Sequence, residues 1–563
     1  MWDVCTRERS SSGTFLAHAA YLATMNKLAS GCVLLLLPAL ILTAQEEVDQ
    51  ASIVKFRTEA LERSQIMHTM HYLSDRYGPR VTGTPNHEQA AKWAIEQMTQ
   101  WGLENGHLEP WDFGHPGWLN ESATARIVAP ISANVKFEVV AWTPSTKGKV
   151  TGPLMQVSLP PWESGMELGP AKSDFAEWVA ATKDKVRGKI VMIGKVGIPS
   201  ADLAPPLRRL PDDRLKAEFD PLPPIAVVDR SGESDQLKRF VELTKTRLTL
   251  NQMSEQIDTM LVEGGAVARV DDAARRDGII QAQGNRRFDV TSAVPTIVMR
   301  NDDYGRIERL LAHGDDVKLE LDIVNRIYPT GKTSYNAVAE ISGSDKVDEV
   351  VMLGAHLDSW QSATGATDNA IGCAVMMEAV RLIQSAGLRP RRTIRIALWS
   401  GEEGGILGSQ GYVKAHFGTA EDPMPDWFKL NAYFNMDGGT GRIRGLRVFG
   451  PPEAAAVLRP VLAQFADFGA MGASANSNRF LGGTDSASFS SAGLPAIGTL
   501  QDPIEYTTTR HTNLDTYERI VPDEVEKAAA IIAAEVWHLA NREQMLPRFT
   551  KETMPLPVSL RVF

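Results

Sequence analysis

Cysteine is scarce: Cys5, Cys32 and Cys373 are the only three in 563 residues. That excludes a disulfide scaffold and a zinc site made of four thiolates, and the paired cysteines and histidines of a finger are missing too. A basic excess is also lacking. Lys and Arg number 59 against 69 Asp and Glu, a formal net charge of −10 with a pI near 5.7. Such a chain has no broad electrostatic footprint for nucleic acid, and no nucleic-acid partner is expected. Repeats and low-complexity tracts are absent. Hydrophobic residues make up 43% and charged residues 23%, which excludes global disorder. The length allows about three or four domain-sized units. What is left is a multi-domain soluble α/β protein with the makeup of an enzyme.

Long apolar runs are lacking with one exception, Leu28–Ala44, which follows Met25-Asn26-Lys27. A basic start, an apolar core and a small residue before Gln45 make the pattern of a cleaved secretory signal, although Leu42 fits its place less well. Residues 1–44 therefore read as a leader, with the signal starting at Met25. The rival reading is a single membrane anchor. The run is about 17 residues, broken by Pro38, at the lower limit for crossing a bilayer. A lipobox at Cys32 would need its apolar stretch ahead of the cysteine, and here it follows. The expectation is an exported protein, periplasmic or extracellular (secretory or lysosomal in a eukaryote), free of the membrane once cleaved. Cys373 then stands alone, with no internal disulfide.

Residues 45–124 are expected to open the catalytic domain with two helices, the second carrying Ala90, Ala91, Ala94, Ile95, Met98 and Trp101 on one face. Across 125–326 the pattern turns to short β-type runs with a proline-rich, charged excursion at 199–260. This reads as an inserted, mostly β domain without a visible catalytic constellation. From 327 to 545 buried strands alternate with helices: 349–354, 395–399, 432–436 and 494–498, with a helix over 372–383. Continuous apolar strands between helices predict a mixed, mostly parallel sheet covered on both faces. A tail, 546–563, follows.

The chemistry gathers at the ends of those strands. The first ends in Gly354-Ala-His356-Leu-Asp358, and its next loop is Gly365-Ala-Thr-Asp368-Asn369. The second ends in Trp399-Ser-Gly-Glu402-Glu403-Gly404-Gly405, the third in Asn435-Met-Asp437-Gly-Gly. Later come Tyr506, Arg510, His511 and Asp515. Sites in open α/β sheets lie outside the carboxyl ends of the strands. Singly, His356 would be a surface or core histidine, the Glu pair a solvated turn, Asp368 a helix cap and Asp437 a turn residue. Together they suit two zinc ions: Asp368, Glu403 and Asp437 offset charge, and neutral His356 and His511 complete an open set without thiolate. Asp368 is the natural bridge, since each oxygen can touch one ion. Ions about 3.5–4 Å apart can polarise one scissile carbonyl. Asp358 is placed to accept the second ring N–H of His356. Neighbouring side chains point apart, so Glu403 goes to metal and Glu402 to the general base, then acid. Gly401, Gly404 and Gly405 let the backbone crowd the site. Cys373 reads as a small core residue, and His68, His71, His87 and His416 as surface residues.

These segments resemble the M28 family of co-catalytic zinc exopeptidases, and within it the carboxypeptidase Q-like (plasma glutamate carboxypeptidase-like) branch. The match runs through Gly354–Trp360, Gly365–Ala370, Ser400–Glu403, Met436-Asp437 and His511-Thr512, with twelve residues from His356 to Asp368. Tyr77–Gly83 is similar to its N-terminal segment, and Thr484-Asp485 through Ala496 to its substrate-side loop. Arg187–Val191 and its surroundings resemble a protease-associated (PA) domain. The resemblance implies a zinc exopeptidase fold with a PA insert, and His356, Asp368 and Asp437 on one zinc. It implies Asp368, Glu403 and His511 on the other, Glu402 as base, and Asp485 near substrate. The chain departs from the family pattern at Arg510, which leaves a transition-state role for Tyr506 open.

The expected activity is hydrolysis of dipeptides or short peptides, of carboxypeptidase or dipeptidase type. The alternative is an aminopeptidase. An acidic recess would suit a free amine, whereas a guanidinium, Arg479 or Arg510, would suit a free carboxylate. The expected partner is the peptide substrate, and a homodimer is compatible. A non-catalytic binding protein should lack a ligand or the base, and a one-zinc glutaminyl-cyclase-like enzyme would not need five ligands. A serine esterase would need a glycine two residues before Ser409.

Overall fold

The computed structural model describes residues 47–162, 168–199, 208–219 and 235–557. The leader, and with it Cys5 and Cys32, lies outside the described residues. The order of the larger sheet is Glu104–Asp112, Thr333–Ile341, Arg392–Trp399, Lys346–His356, Leu430–Asn435, Ala496–Gln501, Ile443–Phe449 and Gly472–Asn476. The four strands from Arg392–Trp399 to Ala496–Gln501 run parallel. Antiparallel pairs flank them, with one further parallel pair at the edge.

Strand side chains alternate between faces. Val351, Leu353 and Ala355 pack with the helices Ile371–Ser385 and Pro522–Asn541. Met352, Ala397, Trp399 and Tyr433 pack on the other face with Tyr412 and Phe489. Burial on both faces explains the unbroken apolar runs. It also leaves only the strand ends for polar side chains.

A second eight-stranded sheet holds the insert. Its entry and exit strands, Gly117–Ala129 and Lys318–Tyr328, form one long antiparallel pair, from Gly117 opposite Tyr328 to Ala129 opposite Lys318. The entry strand crosses the expected boundary at 125, because its middle is solvent-exposed and polar and carries little strand signal. From Glu46 onward the chain is one compact unit. The helix Asp212–Phe219 of the proline-rich excursion lies on the outer strands of the larger sheet. Arg447 Nε donates to Glu218 at 2.7 Å, Arg444 pairs with Asp212, and the Phe219 ring sits against Gly445 and Gly472. Within the stretch expected as a tail, Leu546 and Phe549 are buried.

Two expectations about single residues change. His87 is buried, not on the surface, because it lies at helical spacing from Ala90, Ala91 and Ala94 on the inward face of the helix Pro85–Gln100, whose start Thr84 caps by accepting from the His87 N–H. Burial pushes its pKa down to about 3. Arg479 is unavailable to substrate: it is almost fully buried, ion-paired to Glu421 and hydrogen-bonded to the Ser491 and Pro555 carbonyls. Cys373 is a core residue as expected, with its thiol 3.0 Å from the His356 carbonyl and pushed up to about 12 by burial.

Glu535, on the helix Pro522–Asn541, is wholly buried, and neither carboxyl oxygen makes a hydrogen bond. Burial raises its pKa well above the ordinary value. The folded chain thus binds a proton that the unfolded chain releases above about pH 4.3, so this group costs stability as pH rises. Relative to the parent, Glu535→Gln should gain in Tm from pH 4.5 to 8, reaching about 2 °C. Calorimetry across that range checks it, and a pH-independent difference would contradict it.

Candidate metal centre

Five chain segments deliver the acids and imidazoles to one end of the larger sheet. His356 is the last residue of Lys346–His356. Its Nδ1 lies 3.0 Å from the backbone carbonyl of Asp358. Donation there leaves the Nε2 lone pair facing Asp368 Oδ1 at 3.2 Å and Asp437 Oδ1 at 3.6 Å. Asp368 sits in the non-helical turn just before the helix Ile371–Ser385. Its other oxygen, Oδ2, faces His511 Nε2 at 3.1 Å, and Glu403 Oε2 is 2.8 Å from the same nitrogen. The ligating atoms of His356, Asp368 and Asp437 lie within 4.8 Å of one another, as do those of Asp368, Glu403 and His511. Glu402 Oε2 is 4.0 Å from His356 Nε2.

The electrostatics of this cluster call for cations. Burial raises Glu402 well above the ordinary range, and Asp437, Glu403 and Asp485 add to the shift. Burial and Asp368 lift Glu403 to about 7. Burial works against protonated imidazoles, yet the carboxylates around them win: His356 is raised well above its usual value and His511 to about 9. Asp368 and Asp437 stay below theirs despite burial, held by the imidazoles and, for Asp437, by a tyrosine hydroxyl. Without added positive charge the cluster takes up protons. The buried atoms His356 Nε2, Asp368 Oδ2, Glu403 Oε1 and His511 Nε2 make no hydrogen bond. Two imidazole nitrogens and two carboxylate oxygens left unsatisfied at one point form a donor set that fits divalent metal.

Buried groups around the cluster hold its backbone. Asp358 was expected to orient His356 through its carboxylate. Instead its backbone carbonyl does so, and the nearest carboxylate oxygen is 3.7 Å from Nδ1. The carboxylate accepts from Thr82 Oγ1 at 2.9 Å and from the backbone N–H groups of Glu402 and Glu403, both at 3.2 Å. Two residues past His356, the main-chain oxygen curls back to the ring more easily than the side chain can. Asp515 does the same for the bridging loop, accepting from Thr367 N at 2.5 Å and Asp368 N at 3.2 Å. Asn369 ties that loop to the next, donating to the Met436 carbonyl at 2.8 Å. Arg80, wholly buried, donates to the carbonyls of Leu73, Leu357, Thr364 and Gly365. Gly401 has φ +73°, and a Cβ there would lie 2.8 Å from the Trp111 ring. His511 takes a left-handed φ of 59°, uncommon outside glycine.

Tyr506 joins the cluster: its hydroxyl donates to Asp437 Oδ1 at 2.7 Å and lies 3.2 Å from Asp368 Oδ1. The ring fits because position 439 is glycine, where a Cβ would come within 2.7 Å of it. Arg510 is half-exposed, with Nε 3.7 Å from Asp368 Oδ2. Asp485 is wholly buried, and its carboxyl, lifted to about 7 by burial, has no hydrogen bond of good geometry. The insert, where no chemistry was expected, reaches the site. The Gln283 amide is 2.9 Å from His511 Nδ1, and Arg286 Nη1 donates to the Glu403 carbonyl at 3.2 Å.

Residues 336–536 match the profile of peptidase family M28. Residues 336–536 are an M28 peptidase domain. Carboxypeptidase Q from Mus musculus is 26% identical over 496 residues, covering 88% of this chain and 88% of that protein. A crystal structure of a peptidase M28 precursor from Shewanella amazonensis superposes with a TM-score of 0.61 at 23% identity, over 89% of this chain and 99% of that one. BSAP, a zinc aminopeptidase from Bacillus subtilis, gives a TM-score of 0.52 at 17% identity, over 87% and 98%. These two solved structures share the fold. The chain is a metallopeptidase of mixed α/β architecture, and no helix among its described residues is long and apolar enough to cross a membrane.

In this M28 domain Asp358 positions the Glu402–Glu403 turn. Asp358→Asn keeps one acceptor oxygen and orphans a backbone N–H, a loss of about 1–3 kcal/mol. The expected result is a fall in kcat of about 10–100-fold with bound metal largely retained. Steady-state kinetics alongside metal analysis checks it. Loss of metal in step with activity would mean that Asp358 serves the ligands instead.

Proposed function

We propose that the chain is an exported di-zinc exopeptidase that hydrolyses dipeptides or short peptides, of carboxypeptidase or dipeptidase type. The observation that carries this is the division of Asp368, with Oδ1 toward His356 and Oδ2 toward His511. His356 and Asp437 would complete one ion's ligands, Glu403 and His511 the other's. When bound, two zinc ions polarise the scissile carbonyl and make water acidic near neutral pH.

The remaining work falls to the chain. Glu402, nine-tenths buried and beside His356, takes a proton from the attacking water as its oxygen adds to the carbonyl carbon. The C–N bond then breaks, and Glu402 passes that proton to the leaving nitrogen, giving one free acid and one free amine. Its burial keeps the carboxyl easy to protonate, as the second step needs. The single Tyr506 hydroxyl proton goes to Asp437, and once metal occupies that carboxylate it would be free to turn to the developing oxyanion. The Gln283 amide nitrogen faces His511 Nδ1 at 2.9 Å, so with the His511 proton on Nδ1 and Nε2 on metal the amide would turn over to present its oxygen there. The second sheet is proposed as a PA-like insert, and the N-terminal leader as the export signal.

A carboxyl-end specificity is preferred over an aminopeptidase. Asp485, the acid closest to hand for a substrate amine, has no exposure with which to meet one.

Purified protein should hold about two zinc per chain, and removing them with a chelator should abolish dipeptide hydrolysis. Glu402→Ala should lower kcat by at least about 1,000-fold with zinc retained, whereas His356→Ala and Asp437→Ala should lose zinc. Near-normal kcat in Glu402→Ala would overturn the base assignment.

A further inference from the structure

We infer that Arg286, carried by the loop between the strands Ala268–Asp272 and Thr296–Met299 of the second sheet, receives the free C-terminal carboxylate of the substrate and thereby selects the bond next to it. The inference rests on the peptidase reading and adds the group that recognises the chain end.

Segment 278–286 is pinned to the site from several sides. Ile280 N–H donates to Asn513 Oδ1 at 2.9 Å, Asn513 N–H returns to the Ile280 carbonyl at 3.0 Å, and Gln281 bridges Thr512. Gly284 packs where a Cβ would meet Trp142 at 2.8 Å and Trp360 at 2.9 Å. From this base the exposed Arg286 lays its guanidinium over Trp360, 5.6 Å from the ring centroid, and the same ring meets His511 edge-on at 6.4 Å. Nη1 donates to the Glu403 carbonyl. Nη2 donates to Gln283 Oε1 at 3.4 Å, and no carboxylate among the described residues forms an ion pair with Arg286, so neutral partners hold its guanidinium in place.

The site otherwise repels an anion. Asp368, Glu402, Glu403 and Asp437 crowd it, so a substrate carboxylate needs a guanidinium close by. Arg510 already faces Asp368, and Arg479 is buried in its own ion pair. Arg286 also has the right place in the reaction. The leaving residue carries the nitrogen that Glu402 protonates and, on the same Cα, the carboxylate. A receptor for that carboxylate must stand about one residue's length from Glu402, and Arg286 contacts the neighbouring Glu403 backbone.

The test compares kcat/KM for a dipeptide with a free C-terminus and for its C-terminal amide. It uses the full-length parent, Arg286→Gln, Arg286→Lys and Arg510→Gln, with zinc content and Tm measured for each. The parent should favour the free acid. Arg286→Gln should reduce that preference about 10–100-fold, mainly through KM, and Arg286→Lys should restore part of it. In the Glu402→Ala background, calorimetry should show Arg286→Gln weakening binding of the free acid more than of the amide. Equal losses on both substrates, or loss of preference only in Arg510→Gln, would overturn the inference. A parent that cleaves acid and amide alike would sink it too, yet leave the peptidase reading standing. A parent with zinc bound that cleaves no peptide would remove both.

Discussion

The end of the larger sheet concentrates more negative charge than a buried space tolerates. Asp368, Glu402, Glu403, Asp437 and Asp485 surround His356 and His511, and most are nearly closed to water. Their own field splits them: Asp368 and Asp437 hold their charge against the imidazoles, while Glu402, Glu403 and Asp485 are driven toward the protonated form. Cations resolve the conflict. Once they take the charge of the ligands, the imidazoles can give up their extra protons and Glu402 can ionise as a base. The same field explains why a substrate anion would need a dedicated guanidinium.

Such a cluster holds its shape only because other buried charges are spent on backbone. Asp358 and Asp515 each accept two consecutive or adjacent main-chain N–H groups, and Arg80 saturates four carbonyls. Breaking one partner of such an arrangement leaves a buried polar group uncompensated, so the loops behave as one piece. Arg80 lies far from the ligands in sequence but links the loop after His356 to the loop before Asp368. Both ligand loops are thereby referred to the same buried cation.

Much of this was legible in the sequence, for a physical reason. A strand buried on both faces is mostly apolar until it ends, so the acids and imidazole just after 351–355, 394–399 and 432–436 mark the site directly. His356, Glu402, Glu403 and Asp437 stand at just those points, and the structure gathers them with Asp368 and His511. What escaped notice lacks any such punctuation. The entry strand Gly117–Ala129 is half solvent-exposed and reads as irregular. The packing of Asp212–Phe219 on the far strands depends on Arg444, Arg447 and two glycines over 200 residues away. Asp358 was seen, but its side chain and its carbonyl are equivalent candidates on paper, and only the backbone path decides which one meets the ring. His87 looks like any exposed histidine until the helix start at Thr84 puts it on the same inward face as Ala90 and Ala94.

Gln283 and Arg286 show why a domain-by-domain reading falls short at this site. Nothing in residues 125–326 forms a catalytic pattern by itself, and the core around Trp118, Leu321 and Ile297 is joined by Val81 and Trp360 from the catalytic part. The loop from the insert's strand Ala268–Asp272 to its strand Thr296–Met299 nevertheless reaches the catalytic loops, where bonds to Asn513 and Thr512 fix it. A His511 ring steadied through Gln283 and a Glu403 carbonyl bonded to Arg286 make the insert part of the centre's wall. Removing the insert would therefore strip His511 of its Nδ1 partner and expose Trp360, so the catalytic sheet is not complete without it. The second sheet's core reaches Val81 and Trp360 of the catalytic part, and the two sheets share one site.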